Sequence, residues 1–150
     1  MKNLITSCIG AGIAEWVCCP GKHNTALAAA LADCPAIHRW SQSDERTAAY
    51  FALGRIQATG RPVVVVAGHG ASAAVTPAVV EAYYQRRPLI IITTAERENA
   101  GGAGADGHIE AEGLFGMYAP TMELTLPCAV SSLPDFPAIA TEGFPLHINL

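Results

Sequence analysis

Two short runs, Val63-Val64-Val65-Val66 and Leu89-Ile90-Ile91-Ile92, are apolar at every position. A strand with one wet face alternates with period two, whereas a strand covered on both faces reads as a continuous β-branched run. The two runs therefore require a sheet held between layers of helix, and sheets of that kind are built from parallel strands. The stretch between them turns at Gly68-His69-Gly70 and reads as a helix, with Pro77 either in its first turn after Thr76 or at a kink. Strand, helix, strand in that order is the pattern of an α/β fold.

The rest of the chain repeats the pattern. An amphipathic helix at the amino terminus turns Leu4, Ile5, Cys8 and Ile9 inward, and Glu15 to Cys19 is a short strand stopped by Pro20-Gly21. Asn24 or Thr25 caps an alanine- and leucine-rich helix, and Ile37 to Ser41 is a second strand. Asp44 caps a long helix, ERTAAYFALGRIQATG, closed by Gly60. A glycine-rich loop, Gly101 to Gly107, precedes a short helix around Glu110 to Met117. Extended segments follow at Met122 to Leu126 and Leu146 to Leu150, and the crossover between them holds a short helix broken by Pro134 and Pro137. The expectation is a doubly wound, mainly parallel sheet of about six strands with helices on both faces.

Composition agrees with one such domain spanning residues 1–150. With 51% hydrophobic and 15% charged residues the chain is no disordered tail. At 150 residues it can bury roughly two-thirds of its unfolded surface, enough for one core. Low-complexity tracts, charge runs and tandem repeats are absent, and the apolar surplus suggests that some surface is covered by a partner. Nine Lys+Arg against 13 Asp+Glu leave no basic field for nucleic acid. The five cysteines, Cys8, Cys18, Cys19, Cys34 and Cys128, form no C-x-x-C pair and no zinc-spaced quartet, so reduced thiols in a cytoplasmic protein are expected. Thr6 and Ser7 interrupt the amino-terminal apolar run, far short of a membrane span, so no membrane partner is expected. A cleaved or lipidated signal around Cys8 is the alternative.

In doubly wound sheets ligands bind beyond the carboxyl ends of the strands. The residues after each strand are Pro20-Gly21-Lys22-His23, Ser43-Asp44-Glu45-Arg46, Gly68-His69-Gly70-Ala71-Ser72 and Thr93-Thr94-Ala95-Glu96-Arg97. Glycines, histidines, acids and an arginine gather at one edge, while the opposite edge carries little beyond Gly60-Arg61-Pro62 and Arg86-Arg87-Pro88. No G-x-G-x-x-G follows the first strand, no P-loop is present, and Ser72 lacks the glycine that a nucleophile elbow needs after it. His69, between two glycines, is either a surface turn residue or a ligand contact.

Asp44-Glu45-Arg46-Thr47-Ala48-Ala49-Tyr50-Phe51-Ala52-Leu53-Gly54 resembles the D-E-R-x-A-x-F-x-A-L-G helix of thiamine-diphosphate (ThDP) enzymes. Among them it is most similar to the pyrimidine-binding (PYR) domain of the 2-succinyl-5-enolpyruvyl-6-hydroxy-3-cyclohexene-1-carboxylate (SEPHCHC) synthase family of menaquinone biosynthesis. Cys19-Pro20-Gly21 matches that family's C-P-G, Thr59 to Val66 its third strand, and Pro77 to Ala82 the following helix. Pro88 to Arg97 resembles its P-L-I-x-L-T-A-D-R segment, Gly104-Ala105-Asp106 its G-A-N-Q, and His147-Ile148-Asn149-Leu150 its closing strand. The likeness runs almost end to end.

The resemblance implies a catalytic role for Glu45. ThDP reacts at C2 once its own 4′-amino group, as the imino tautomer, takes the C2 proton, and a carboxylate bonded to N1′ of the pyrimidine favours that tautomer. Glu45 also lies in a first helical turn, where the dipole favours the anion while burial against a ring favours the neutral acid. Without the family pattern it would read as an acid helping Asp44 cap the helix. The resemblance further implies cofactor contacts at Pro20, Gly21, Gly68, His69 and Gly70, and substrate contacts at Lys22, His23, Arg97 and His108. It implies Mg²⁺ held only through a partner domain, and pairing of PYR domains as a homodimer.

Three segments depart from the family. Its Ser-Arg after C-P-G is Lys22-His23 here, its T-S-G-T-A turn is Ala67-Gly68-His69-Gly70-Ala71, and its Gln after G-A-N falls at Gly107. Lys22 offers charge without the planar fork of arginine, or is simply a solvated loop residue. No G-D-G-x…-N motif is present: Asp106-Gly107 lacks the preceding glycine and a spaced asparagine. The diphosphate-binding domain is therefore expected in the same longer chain or in a separate subunit, with the chain inactive alone. The expected function is the PYR part of a ThDP-dependent 2-oxoacid decarboxylase or carboligase (a transferase or lyase). The alternatives are a split-subunit decarboxylase of another 2-oxoacid and a non-catalytic α/β binding module that kept the fold.

Overall fold

The computed structural model describes residues 1–94, 109 and 111–150. It contains a six-stranded sheet in the order β2-β1-β3-β4-β6-β5, with every neighbouring pair parallel. The strands are β1 (Glu15–Cys18), β2 (His38–Ser41), β3 (Val63–Gly68), β4 (Leu89–Thr94), β5 (Thr121–Glu123) and β6 (Leu146–Asn149). The helices are α1 (Lys2–Gly10), α2 (Thr25–Ala32), α3 (Glu45–Thr59), α4 (Thr76–Tyr84) and α5 (Phe136–Glu142).

The two apolar runs occupy the centre of the sheet, and alternate side chains enter different cores. Val63, Val65, Leu89 and Ile91 pack under α3 and α4 with Phe115. Val64, Val66, Ile90 and Ile92 pack under α1, α2 and α5 with Trp16. Helices that carry the chain from β2 to β3 and from β3 to β4 share one face. Those carrying it from β1 to β2 and from β5 to β6, in the opposite direction along the sheet, share the other, as one constant crossover hand requires.

Local chemistry explains most boundaries. Asp44 is extended, at φ −140 and ψ 129, and its carboxylate accepts from the Thr47 N–H to start α3. Gly60 ends that helix in the left-handed region at φ 69. Pro77 sits in the first turn of α4, the first of its two expected positions, after a 3-10 turn over His69–Val75. Leu4, Ile5 and Cys8 are buried, and Ile9 packs partly buried against the same core.

Two expectations are corrected. The segment from Ala111 to Met117 forms turns and a 3-10 stretch at Gly116–Tyr118 in place of the expected helix. Gly113 and Gly116 adopt φ of 67 and 51, which α-helical backbone excludes. Pro137 opens α5 where it was expected to break it: Asp135 caps the helix through the Ala138 N–H and Pro137 fills the first turn. Smaller differences shorten β5 from Met122–Leu126 to Thr121–Glu123 and place β2 over His38–Ser41. Arg97, His108 and the glycine-rich stretch Gly101 to Gly107 lie outside the described residues. Among the described residues no helix is long and apolar enough to cross a membrane.

Candidate functional site at the carboxyl ends of the central strands

From β1 the chain runs to β2 on one side, and β3 lies on the other side of β1. The loop after β1 leads to α2 on one face and the loop after β3 to α4 on the other. Between such diverging loops a doubly wound sheet opens its crevice. Three of the expected stations meet there. The 3-10 turn Lys22–Asn24 packs on β3, Gly68 ends β3, and α3 presents its first turn.

Glu45 is the first residue of α3 and is half-buried. Its position follows from the cap before it. Asp44 accepts from both the Thr47 hydroxyl and the Thr47 N–H at 2.7 Å, and these bonds hold its carboxyl below the ordinary range. The cap is thereby occupied by Asp44, which leaves the Glu45 carboxylate to the crevice. A β-carbon built on Gly68 would stand 3.7 Å from Glu45 Oε1. Gly68 has φ −66 and ψ 149, which any residue adopts, so glycine supplies space here and no special backbone geometry. Cys19 lies close to the same carboxylate: burial, then the Glu45 charge, pushes its thiol up to about 12, and it stays neutral.

The loop after β1 is held by a residue that sequence reasoning treated only as a cap. Asn24, 2% exposed, donates from Nδ2 to the Cys19 carbonyl at 2.6 Å, and its Oδ1 accepts from the Gly21 N–H at 3.0 Å. The side chain thus folds back across Pro20-Gly21 and fixes the turn. Lys22 and His23 stand exposed on it, as do Pro20 and Gly21. His69 opens the 3-10 turn beyond Gly68, followed by exposed Gly70.

At the carboxyl ends of β4 and β6, an unforeseen polar network crosses the sheet. Thr93 donates its hydroxyl proton to Asn149 Oδ1 at 2.7 Å, so its oxygen accepts from His147 Nε2 at 2.8 Å. That assigns the ring proton to Nε2 and leaves Nδ1 to accept from the Thr121 hydroxyl at 2.9 Å. Asn149 Nδ2 then donates to Glu123 Oε2 at 2.8 Å. His147 is fully buried, with Phe115 edge-on to its ring, and burial lowers its pKa from 6.5 to about 4. The only sequence signal was the pair of polar residues at alternate positions of an otherwise apolar last strand. Among the described residues no group of three or more His, Cys, Asp or Glu could hold a metal ion.

Residues 2–112 match the family model of the thiamine pyrophosphate enzyme, N-terminal TPP binding domain. The chain belongs to this family. As a member of it, the domain resembles SEPHCHC synthases. That of Akkermansia muciniphila is 48% identical over 152 residues, covering 100% of this chain and 28% of the relative. That of Geobacillus thermodenitrificans is 40% identical over 154 residues, covering 95% of this chain and 26% of the relative. The TPP-binding domain thus spans little more than a quarter of the length of these relatives, 28% and 26%. Two solved structures share its fold. A thiamine diphosphate-dependent 4-hydroxybenzoylformate decarboxylase of Rhodococcus jostii RHA1 superposes with a TM-score of 0.75 at 14% identity, over 99% of this chain and 29% of the other. A benzoylformate decarboxylase from Polynucleobacter necessarius gives 0.76 at 17% identity, again over 99% and 29%. In this TPP-binding domain the D-E-R helix is α3, and its glutamate is the acid beside Gly68.

Proposed function

We propose that the chain is the pyrimidine-side domain of a ThDP-dependent 2-oxoacid carboligase or decarboxylase of the SEPHCHC synthase type, with Glu45 as the residue that activates the cofactor. The observation that carries this reading is the half-buried Glu45 carboxylate beside the side-chain gap at Gly68, at the switch point of the sheet. The residues fit the cofactor: a carboxylate at a helix start can share a proton with a ring nitrogen, and Gly68 leaves room for a flat ring against it. When bound, ThDP supplies a nucleophilic carbon that adds to the keto carbon of a 2-oxoacid.

The remaining steps belong to this chain's own residues. Glu45 would hold the cofactor's pyrimidine and share a proton with its ring nitrogen, the carboxylate contact that favours activation of the cofactor. The Asn24 clamp fixes the Pro20-Gly21 turn, and that turn would hold the cofactor together with the backbone of Gly68, His69 and Gly70. Lys22 and His23, exposed on the same edge, attract the substrate carboxylate together with Arg97 and His108. The diphosphate and Mg²⁺ are held by a second domain, in the same longer chain or in another subunit, and without it the chain is inactive. Pairing of PYR domains as a homodimer, a cytoplasmic setting and a place in menaquinone biosynthesis complete the proposal, and the SEPHCHC synthase relatives support the last of these.

The test combines the chain with its diphosphate-binding domain, ThDP, Mg²⁺ and 2-oxoglutarate. Consumption of the 2-oxoacid by the unaltered protein, and loss of about a hundredfold or more of that rate in Glu45→Gln, is the expected result. Equal turnover by the two proteins rejects the assigned role.

A further inference from the structure

Thr94 closes β4 at 7% exposure, and its buried hydroxyl has no hydrogen-bond partner among the described residues. The preceding Thr93 shows the ordinary solution, with its hydroxyl bonded to both His147 and Asn149. A buried hydroxyl without a partner destabilises the protein that carries it, so its retention asks for an explanation. Among the described residues Trp16 and Arg87 also bury a nitrogen without a partner, but neither pairs with Gly68 in the sheet.

The placement of Thr94 supplies the explanation. The ladder pairs it directly with Gly68, about 4.8 Å away across two parallel strands. Alternation along β3 and β4 puts both on one face, opposite to Ala67 and Thr93. Gly68 has no side chain to fill the space beside Thr94, and the same gap has Glu45 Oε1 3.7 Å from the position a β-carbon would take. A carboxylate and an orphan hydroxyl therefore flank one glycine at the carboxyl ends of the central strands.

We infer that Thr94 is a second ligand-binding residue of the Glu45 crevice, its hydroxyl bonded by a polar heteroatom of the small molecule seated there. The inference rests on the cofactor reading of that crevice. The hydroxyl donates where the carboxylate accepts, so together they suit a ligand with a donor on one edge and an acceptor on another. Two molecules of the proposed reaction offer such an acceptor: the aminopyrimidine of ThDP and the oxygens of the 2-oxoacid. Thr94 binds and orients, and transfers no proton.

The experiment uses Thr94→Val and Thr94→Ser in the assembled protein with its diphosphate-binding domain. Valine keeps the shape and removes the hydroxyl, and serine keeps the hydroxyl. Three quantities are read: the melting temperature without ligand, ThDP affinity by calorimetry at fixed Mg²⁺, and KM for 2-oxoglutarate at saturating ThDP. Thr94→Val is expected to melt no lower than the unaltered protein, because no bond among the described residues is lost. It is expected to bind ThDP about tenfold more weakly if the cofactor is the partner, or to raise KM about tenfold at unchanged ThDP affinity if the 2-oxoacid is. Thr94→Ser restores whichever constant changed. Wild-type values of both constants in Thr94→Val overturn the inference, as does a melt several degrees lower without ligand, which would show the hydroxyl bonded within the protein. Glu45→Gln measured alongside separates the two ideas. If it abolishes turnover while Thr94→Val changes nothing, only the role of Thr94 fails; if neither substitution has an effect, the reading of the crevice fails too.

Discussion

Glu45 Oε1 stands 3.7 Å from the point at which Gly68 would carry a β-carbon, so the end of β3 and the start of α3 share one small gap. At 3.7 Å a methyl group makes ordinary van der Waals contact, and the backbone at φ −66 accepts it without strain. Gly68→Ala should therefore fold normally and melt within about 2 °C of the unaltered protein. It should weaken ThDP binding by roughly tenfold, because the methyl occupies space that the cofactor ring needs. Calorimetric titration of the assembled protein checks this, and unchanged affinity would show that the ring lies elsewhere.

His147 makes stability depend on pH. Its pKa falls from 6.5 to about 4 on folding, so the unfolded chain binds the proton more readily. The contribution is complete above 6.5 and is lost as pH drops toward about 4, a change of ~3 kcal/mol. Urea unfolding at a series of pH values should show that loss in the unaltered chain and a flatter profile in His147→Gln. Parallel profiles would mean that the ring is not held neutral by burial.

Glu15 and Arg55 join the start of β1 to α3 through two bonds, at 2.8 and 2.9 Å. The Arg55 hydrogen bond holds the Glu15 carboxyl below its ordinary range, and the guanidinium also lies 5.4 Å over the Trp40 ring. Arg55→Lys keeps the charge but loses the fork and the stacking, so its melting temperature should fall at neutral pH. The depressed carboxyl stabilises the fold above its unfolded pKa and ceases to do so as pH falls through its folded value. The gap between the variant and the unaltered chain should accordingly shrink in acid, and a gap independent of pH would assign the loss to packing alone.

The parts of this fold that could be read from the chain were those fixed by local chemistry. Val63 to Val66 and Leu89 to Ile92 announced the central strands because both of their faces are buried. Asp44 and Gly60 marked the two ends of α3 because a cap and a left-handed glycine are single-residue signals. The same locality misled at Ala111 to Met117, where helix-compatible residues surround Gly113 and Gly116 and only the tertiary path shows that both take positive φ. Insertion of β6 between β4 and β5 was not legible, since strand order depends on which edges meet in space. In the site, Glu45 could be picked out only through the likeness of its helix to the D-E-R-x-A-x-F-x-A-L-G pattern, since by itself it reads as an acid helping Asp44 cap α3. Asn24 and Thr94 could not: one acts by reaching back to Cys19 and Gly21, the other by what its hydroxyl lacks.

The assignment of Glu45 is tested most directly by the rate at which the C2 hydrogen of bound ThDP exchanges with deuterium, followed by NMR after acid quench. The exchange is measured in the assembled protein without any 2-oxoacid, so that substrate binding plays no part. The account predicts fast exchange with the unaltered chain and a fall of about a hundredfold or more in Glu45→Gln, with the cofactor still bound. Exchange equally fast in both proteins would contradict it.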